Sequence, residues 1–211
     1  MLITFGKYKN QSIENIFKKD KQYIKWLCNQ KWYKENHEEL YKMSKNIMNN
    51  HKPLINKDKF IVYTDGACPS NGMPGARSSI GVHFSEKNPI ELDDISEKLF
   101  LKEHSNNIAE LMAIFKCLEV IKENNITIPI YLYTDSRYCQ FILTEWYEHW
   151  IKNNTLKNKK NIPLIEKTHK IYKSFNNLTI LYVKGHSRKT DEHSYGNYVA
   201  DLLAKNALKN I

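Results

Sequence analysis

Two segments of the chain echo one another: Ile61-Val62-Tyr63-Thr64-Asp65-Gly66 and Tyr131-Leu132-Tyr133-Thr134-Asp135-Ser136. Each is a short apolar, β-branched and aromatic run closing on an aspartate beside a small turn residue. That is the pattern of a buried strand delivering a carboxylate to its end. Lying side by side and parallel, two such strands would bring both aspartates to one sheet edge, where open α/β sheets build their sites. Carboxylates held that close repel by about 4 kcal/mol at ~4 Å and an effective dielectric of roughly 20. A divalent cation relieves the repulsion, so the pair suggests metal-dependent chemistry. Two further acids could join it. Glu110 falls in the first turn of an expected helix behind Ser105-Asn106-Asn107, and Asp201 lies on the last helix, one turn after Asn197. Taken alone, Glu110 could simply complement a helix dipole and Asp201 could face solvent.

The elements that must position these acids follow from periodicity. Strands are expected at 60–66, 79–85 and 95–101. A helix at 106–123 carries Ile108, Leu111, Met112, Phe115 and Leu118 on one side. Strand 130–134 precedes helical stretches at 136–151 and 162–174, and strand 178–183 precedes a last helix at 194–208. That helix is expected to turn Tyr195, Tyr198, Val199, Leu202 and Leu203 inward. Three strands before any helix imply an antiparallel meander, and the later alternation implies parallel pairing. The fold class is therefore α/β, with a five-stranded mixed sheet flanked by helices.

Residues 1–48 read as a separate small α+β module. It has a β-like start over 2–8, a helix from the N-cap Asp20 burying Tyr23, Trp26 and Leu27, and a helix from Asn36 with Leu40, Met43 and Ile47. Residues 49–59 are polar, contain Pro53 and suit a linker, leaving 60–211 as the main domain.

Composition narrows the function classes. At 211 residues there is room for one ordinary domain and a small extra module, and 41% hydrophobic and 12% aromatic content excludes a disordered chain. The net charge of +9 favours a polyanionic partner, either nucleic acid or an anionic membrane surface. No apolar run approaches the ~20 residues of a membrane span, and the first residues lack the layout of a signal peptide. A soluble intracellular protein is expected. Cys28, Cys68, Cys117 and Cys139 are too scattered for a zinc site or disulfide framework and should be reduced. The amino-terminal 58 residues hold twelve lysines against six acids, so the excess charge concentrates there.

Taken in order, Asp65-Gly66-Ala67-Cys68-Pro69-Ser70-Asn71-Gly72, Ser105-Asn106-Asn107-Ile108-Ala109-Glu110-Leu111, Thr134-Asp135-Ser136, Gly185-His186-Ser187 and Gly196-Asn197-Tyr198-Val199-Ala200-Asp201 resemble the signature of type 1 ribonuclease H. The resemblance runs from about residue 60 to 208. It implies a ribonuclease H-like fold and hydrolysis of the RNA strand of RNA–DNA hybrids, leaving 5′-phosphate and 3′-hydroxyl ends. It also implies that Asp65, Glu110, Asp135 and Asp201 hold two Mg²⁺ ions (Mn²⁺ being possible), with Asp65 bridging, and that His186 assists proton transfer or product release. The stretch from His186 to Asp201, including Arg188, Lys189 and Thr190, is longer than the family usually has. Asn71, Asn106 and Asn107 match positions that read the RNA strand. Tyr138, Trp146 and Trp150 match aromatics lining the DNA channel, and Ser105 and Asn161 match a phosphate pocket. Glu103 stands where that pocket usually has an arginine. A basic stretch (Lys152, Lys157, Lys159 and Lys160) resembles a shortened basic protrusion. Around Phe5-Gly6-Lys7-Tyr8-Lys9, the amino-terminal module looks like a small domain appended to some exonucleases, and it could hold nucleic acid. The alternative functions are another nuclease of this fold, such as a junction resolvase, or a non-catalytic hybrid-binding module. No protein partner is implied.

Overall fold

The computed structural model describes residues 2–50, 55–187 and 191–209, and the chain divides into two compact units, residues 1–54 and 55–211. In the first unit, α1 (Ile13–Lys19), α2 (Lys21–Cys28), α3 (Lys31–Asn36) and α4 (Glu38–Asn50) enclose Ile3, Ile13, Ile16, Ile24, Leu27, Tyr33 and Leu40. Ser12 caps α1 by accepting from the Asn15 amide. Asp20 caps α2 by accepting from the Tyr23 amide, as its position predicts. Among the described residues of this unit, the β contribution is one bridge between Leu2 and Ser12. Two helices, α1 and α3, go beyond the pair expected from sequence; at 7 and 6 residues they are too short to display a period. Trp26 was expected inside, but it stands 49% exposed while Ile24 and Leu27 are buried. The 24/27 pair lies on one face of α2, and position 26 is rotated away from it.

The second unit is built on β1 (Phe60–Ala67), β2 (Ser79–Phe84), β3 (Ile95–Lys98), β4 (Ile130–Thr134) and β5 (Leu178–Tyr182), in the order β3-β2-β1-β4-β5. β1 pairs antiparallel with β2, and β2 with β3; β1 pairs parallel with β4, and β4 with β5. The mixed sheet expected from the element order is thus observed. Alternation along β1 assigns its two faces. Phe60 and Val62 join the main core with Leu111, Ile114 and Leu118 of α5 (Asn106–Glu123), whereas Ile61 and Tyr63 meet Ala200 of α9 (Glu192–Ala207).

The stretch expected to be helical at 136–151 is α6 (Arg137–Phe141), a π-helical segment (Ile142–Trp146) and α7 (Tyr147–Lys152); α8 (Ile162–Tyr172) follows.

The inward face of α9 corrects the sequence reading. Gly196, Asn197, Val199, Ala200 and Ala204 face the sheet, while Tyr195 and Tyr198 are exposed and Leu202 and Leu203 half-buried. The Tyr63 ring lies so near Gly196 that any side chain there would collide with it. At its points of closest approach, Gly196 over Tyr63 and Ala200 and Ala204 over Gly81, the helix admits only small residues, and the tyrosines turn outward. The four cysteines are free thiols. Among the described residues, no helix is long and apolar enough to cross a membrane.

Candidate active site

Parallel register brings the two aspartates together. Thr64 of β1 stands opposite Thr134 of β4, so Asp65 and Asp135, the next residue on each chain, lie level at the carboxyl edge. The third acid arrives from α5. Ser105 caps that helix by accepting from the Ile108 amide, and Glu110, the fifth helical residue, opens the second turn rather than lying in the first as expected. There the helix presses on Gly66, where a Cβ would meet Ala109 and the Glu110 amide. Only glycine permits that approach. One oxygen from each of Asp65, Glu110 and Asp135 then lies within 4.8 Å of the others.

Little in the protein neutralises these acids. Asp65 is 6% exposed and accepts from the Gly66 amide at 2.9 Å. Glu110 Oε2 is buried without a hydrogen-bond partner. Burial and the neighbouring Asp135 and Asp201 charges push the Asp65 carboxyl up to about 8. Burial, then Asp65 and Asp135, hold Glu110 well above the usual carboxylate range. Asp135 is also raised by burial, against the opposing pull of the Asn197 amide and His186. Asn197 Nδ2 donates to Asp135 Oδ2 at 3.4 Å. Three hard oxygen donors, close together and short of positive charge, fit a divalent cation of the Mg²⁺ class.

Asp201 is near enough to act on Asp65 and Asp135 electrostatically, yet it is not one of the three clustered acids. Lys205, one turn further along α9, holds both of its oxygens at 2.6 and 2.7 Å. His186 is exposed in a left-handed backbone conformation after β5 (φ 49°) and lowers the Asp135 carboxyl. Arg188, Lys189 and Thr190 of the long segment beyond it lie outside the described residues.

The other sequence-derived candidates gather in two places. Asn71 Oδ1 accepts from the Asn106 amide at 3.1 Å, linking the turn after β1 to the start of α5, where Asn106 and Asn107 are exposed. Ser105, Tyr138, Trp150 and Asn161 line one open cavity of about 460 Å³ together with Lys159 and Lys160. Glu103 lines it too. Trp146 and Trp150 line another of about 590 Å³, again with Lys159, whose ammonium sits 4.8 Å from the Trp150 ring centre. Rings of Tyr138 and Trp146 (6.4 Å) and of Trp146 and Trp150 (6.2 Å) form a continuous row.

Sequence reasoning missed the contact of Asn197 with Asp135, the pairing of Lys205 with Asp201, and the π-helical segment ending at Trp146. The first two had a signal, since Asn197, Asp201 and Lys205 are spaced by four on one helix; the π segment had none.

The RNase H family model matches residues 56–209, and the Exodeoxyribonuclease X-like C-terminal model matches residues 3–31. The ribonuclease H of Rickettsia typhi is 35% identical over 154 residues, covering 69% of this chain and 88% of its own. The ribonuclease H of Schizosaccharomyces pombe is 37% identical over 158 residues, covering 73% of this chain and 54% of its own. Among solved structures, the PFV RNase H domain aligns with a TM-score of 0.57 at 24% identity over 72% of this chain and 95% of that one. A foamy viral protease-reverse transcriptase in complex with RNA/DNA hybrid aligns with a TM-score of 0.58 at 22% identity, over 75% of this chain and 21% of that one. The sheet order, the acids at its carboxyl edge and these matches lead to one conclusion: the chain belongs to the ribonuclease H family and is a ribonuclease H enzyme.

Proposed function

We propose that residues 60–211 form a catalytic domain that hydrolyses the RNA strand of RNA–DNA hybrids by two-metal-ion catalysis, giving 5′-phosphate and 3′-hydroxyl ends. The observation that carries the reading is the convergence of Asp65, Glu110 and Asp135, with a buried Glu110 oxygen that has no partner. With Asp201, these acids would hold Mg²⁺ or Mn²⁺. When bound, such ions activate the attacking water and stabilise the charge of an in-line phosphoryl displacement.

The chain's own groups supply the rest. Asn197 orients Asp135 through its amide. His186, close enough to Asp135 to act on it and open to solvent, is suited to move a proton or to ease product release. Asn71, Asn106 and Asn107 offer the short hydrogen-bonding groups that recognise a 2′-hydroxyl, and the bond between Asn71 and Asn106 holds the two loops in register. The row Tyr138, Trp146 and Trp150 gives flat apolar faces for the sugars of the DNA strand. Ser105 and Asn161, with Lys159 and Lys160 in the same cavity, would take a phosphate. Glu103 weakens that pocket by its charge. The solved foamy viral relative in complex with hybrid is consistent with the substrate class.

The deciding experiment incubates the purified protein with end-labelled hybrid, double-stranded RNA and double-stranded DNA, each with Mg²⁺ or with EDTA. Cleavage confined to the RNA strand of the hybrid, and lost in EDTA, is the expected result. Uncut hybrid in both Mg²⁺ and Mn²⁺ would end the reading.

A further inference from the structure

The first unit leaves its largest rings outside a core that is short of apolar surface. Among the described residues its core holds seven that are buried, mostly isoleucine and leucine, and neither tryptophan is one of them. Trp26 is 49% and Trp32 37% exposed. A unit of about fifty residues buries too small a fraction of its surface to leave two indoles outside without consequence.

These rings are not scattered. The turn Phe5-Gly6-Lys7-Tyr8, with Gly6 left-handed at φ 67°, carries a ring at each end. Tyr8 leads through Tyr23 (5.0 Å) to Trp26 (5.6 Å), and Phe5 leads to Trp32 (5.1 Å) and His37 (4.4 Å, stacked). The result is an aromatic strip centred on one turn, with an exposed indole on either side. Charge follows the same segment. Between Phe5 and His37 stand eight lysines and three acids, whereas the following helix α4 is balanced, with Glu38 and Glu39 against Lys42 and Lys45.

We propose that this strip is a binding platform for single-stranded nucleic acid, with unpaired bases stacking on Trp26 and Trp32 and the phosphate backbone held by the surrounding lysines. Every base offers a π face, so such a surface binds without sequence preference, and duplex ends, whose bases are already stacked, use it less. The lysines contribute a salt-dependent component through counterion release. A protein partner could also cover exposed indoles, but the local excess of five positive charges selects a polyanion. The platform is independent of the acidic edge; it would add retention beside a hybrid that ends in an unpaired strand.

The test uses the full chain and a thymidine oligonucleotide, with affinity read by fluorescence anisotropy at two salt concentrations. Replacing both indoles with leucine (W26L/W32L), which keeps bulk without a stacking face, is expected to weaken binding about tenfold. The W26F/W32F pair should retain most of it. Equal affinity of the leucine pair and the unaltered protein overturns the platform and leaves the rings to a partner of another class. Equal weakening by the leucine and phenylalanine pairs also overturns it, because stacking would then not be what the rings supply. Cleavage of a blunt hybrid, measured in parallel, reports on the acidic edge: its absence in the unaltered protein would refute the nuclease reading and leave the platform standing.

Discussion

At the carboxyl edge of the sheet, Asp65 retains 6% of its surface in water, whereas 38% of Trp146 stays in solvent in the neighbouring aromatic groove. The two regions also differ in what carries them. The acids ride on paired strands and on the start of the second turn of α5, where Ala109 and Glu110 are pressed onto Gly66, so their separation is set by backbone packing. The groove's rings ride on a helical stretch interrupted by a π turn and flanked by lysines. The contrast follows from the chemistry each can do. Binding a cation needs repelling oxygens fixed in a low-dielectric place, where their attraction for it is strongest. Accepting a long polyanion needs an open surface, wide enough for sugars and phosphates to slide into.

If that division of labour is right, damage at the edge should remove chemistry and spare binding. Asp65→Asn or Asp135→Asn is expected to lower single-turnover cleavage of hybrid at least about a hundredfold, as loss of several kcal/mol of metal-dependent stabilisation implies. Hybrid affinity measured without cleavage should change by no more than a few-fold. A comparable loss in both assays would abolish the distinction.

The converse change is Trp146→Ala, an exposed ring in the groove. It should weaken hybrid binding about tenfold and raise KM, with kcat at saturating substrate retained. A lower kcat with unchanged KM would move Trp146 into the chemistry.

Titration sharpens the edge further. The Asp65 carboxyl ordinarily titrates at 3.8 and is pushed to about 8 by burial and like charges. The folded metal-free protein therefore holds this proton more tightly than the unfolded chain. Its contribution to stability is present below 3.8 and is lost as pH rises towards about 8. Thermal melts in EDTA should show Tm declining across that window. Asp65→Asn should flatten the decline, and so should saturating Mg²⁺, whose binding releases the protons. An equally steep decline in Asp65→Asn would mean that other groups govern it.

The smallest effect is expected at Lys205. Its ammonium holds both oxygens of Asp201 and would compete with a cation proposed there, but it is half-exposed and screened. Lys205→Met should lower the Mg²⁺ concentration for half-maximal cleavage by about two- to fivefold, the range of a partly exposed ion pair. An increase would show that Lys205 supports the substrate instead.

How far the site could be read in advance varies by residue. Asp65 and Asp135 stood out as acids closing short apolar, β-branched and aromatic runs, whereas Glu110 and Asp201, which taken alone could complement a helix dipole or face solvent, joined them only through the family resemblance. Trp26 and the α9 tyrosines misled. Hydrophobic type predicts burial only on average, and at α9 the close approach of helix and sheet outweighed it.

The order of elements, the placement of each acid within its element and the charge excess of the first unit are local properties, and the linear chain alone determined them. Tertiary structure decided which oxygens meet within 4.8 Å, that Asp201 is paired with Lys205, that α9 turns glycine and alanine to the sheet, and that two indoles remain in water. The reason is physical. The period of side chains along one strand or helix is set by its own backbone, but the distance between elements depends on the volumes of every residue packed between them.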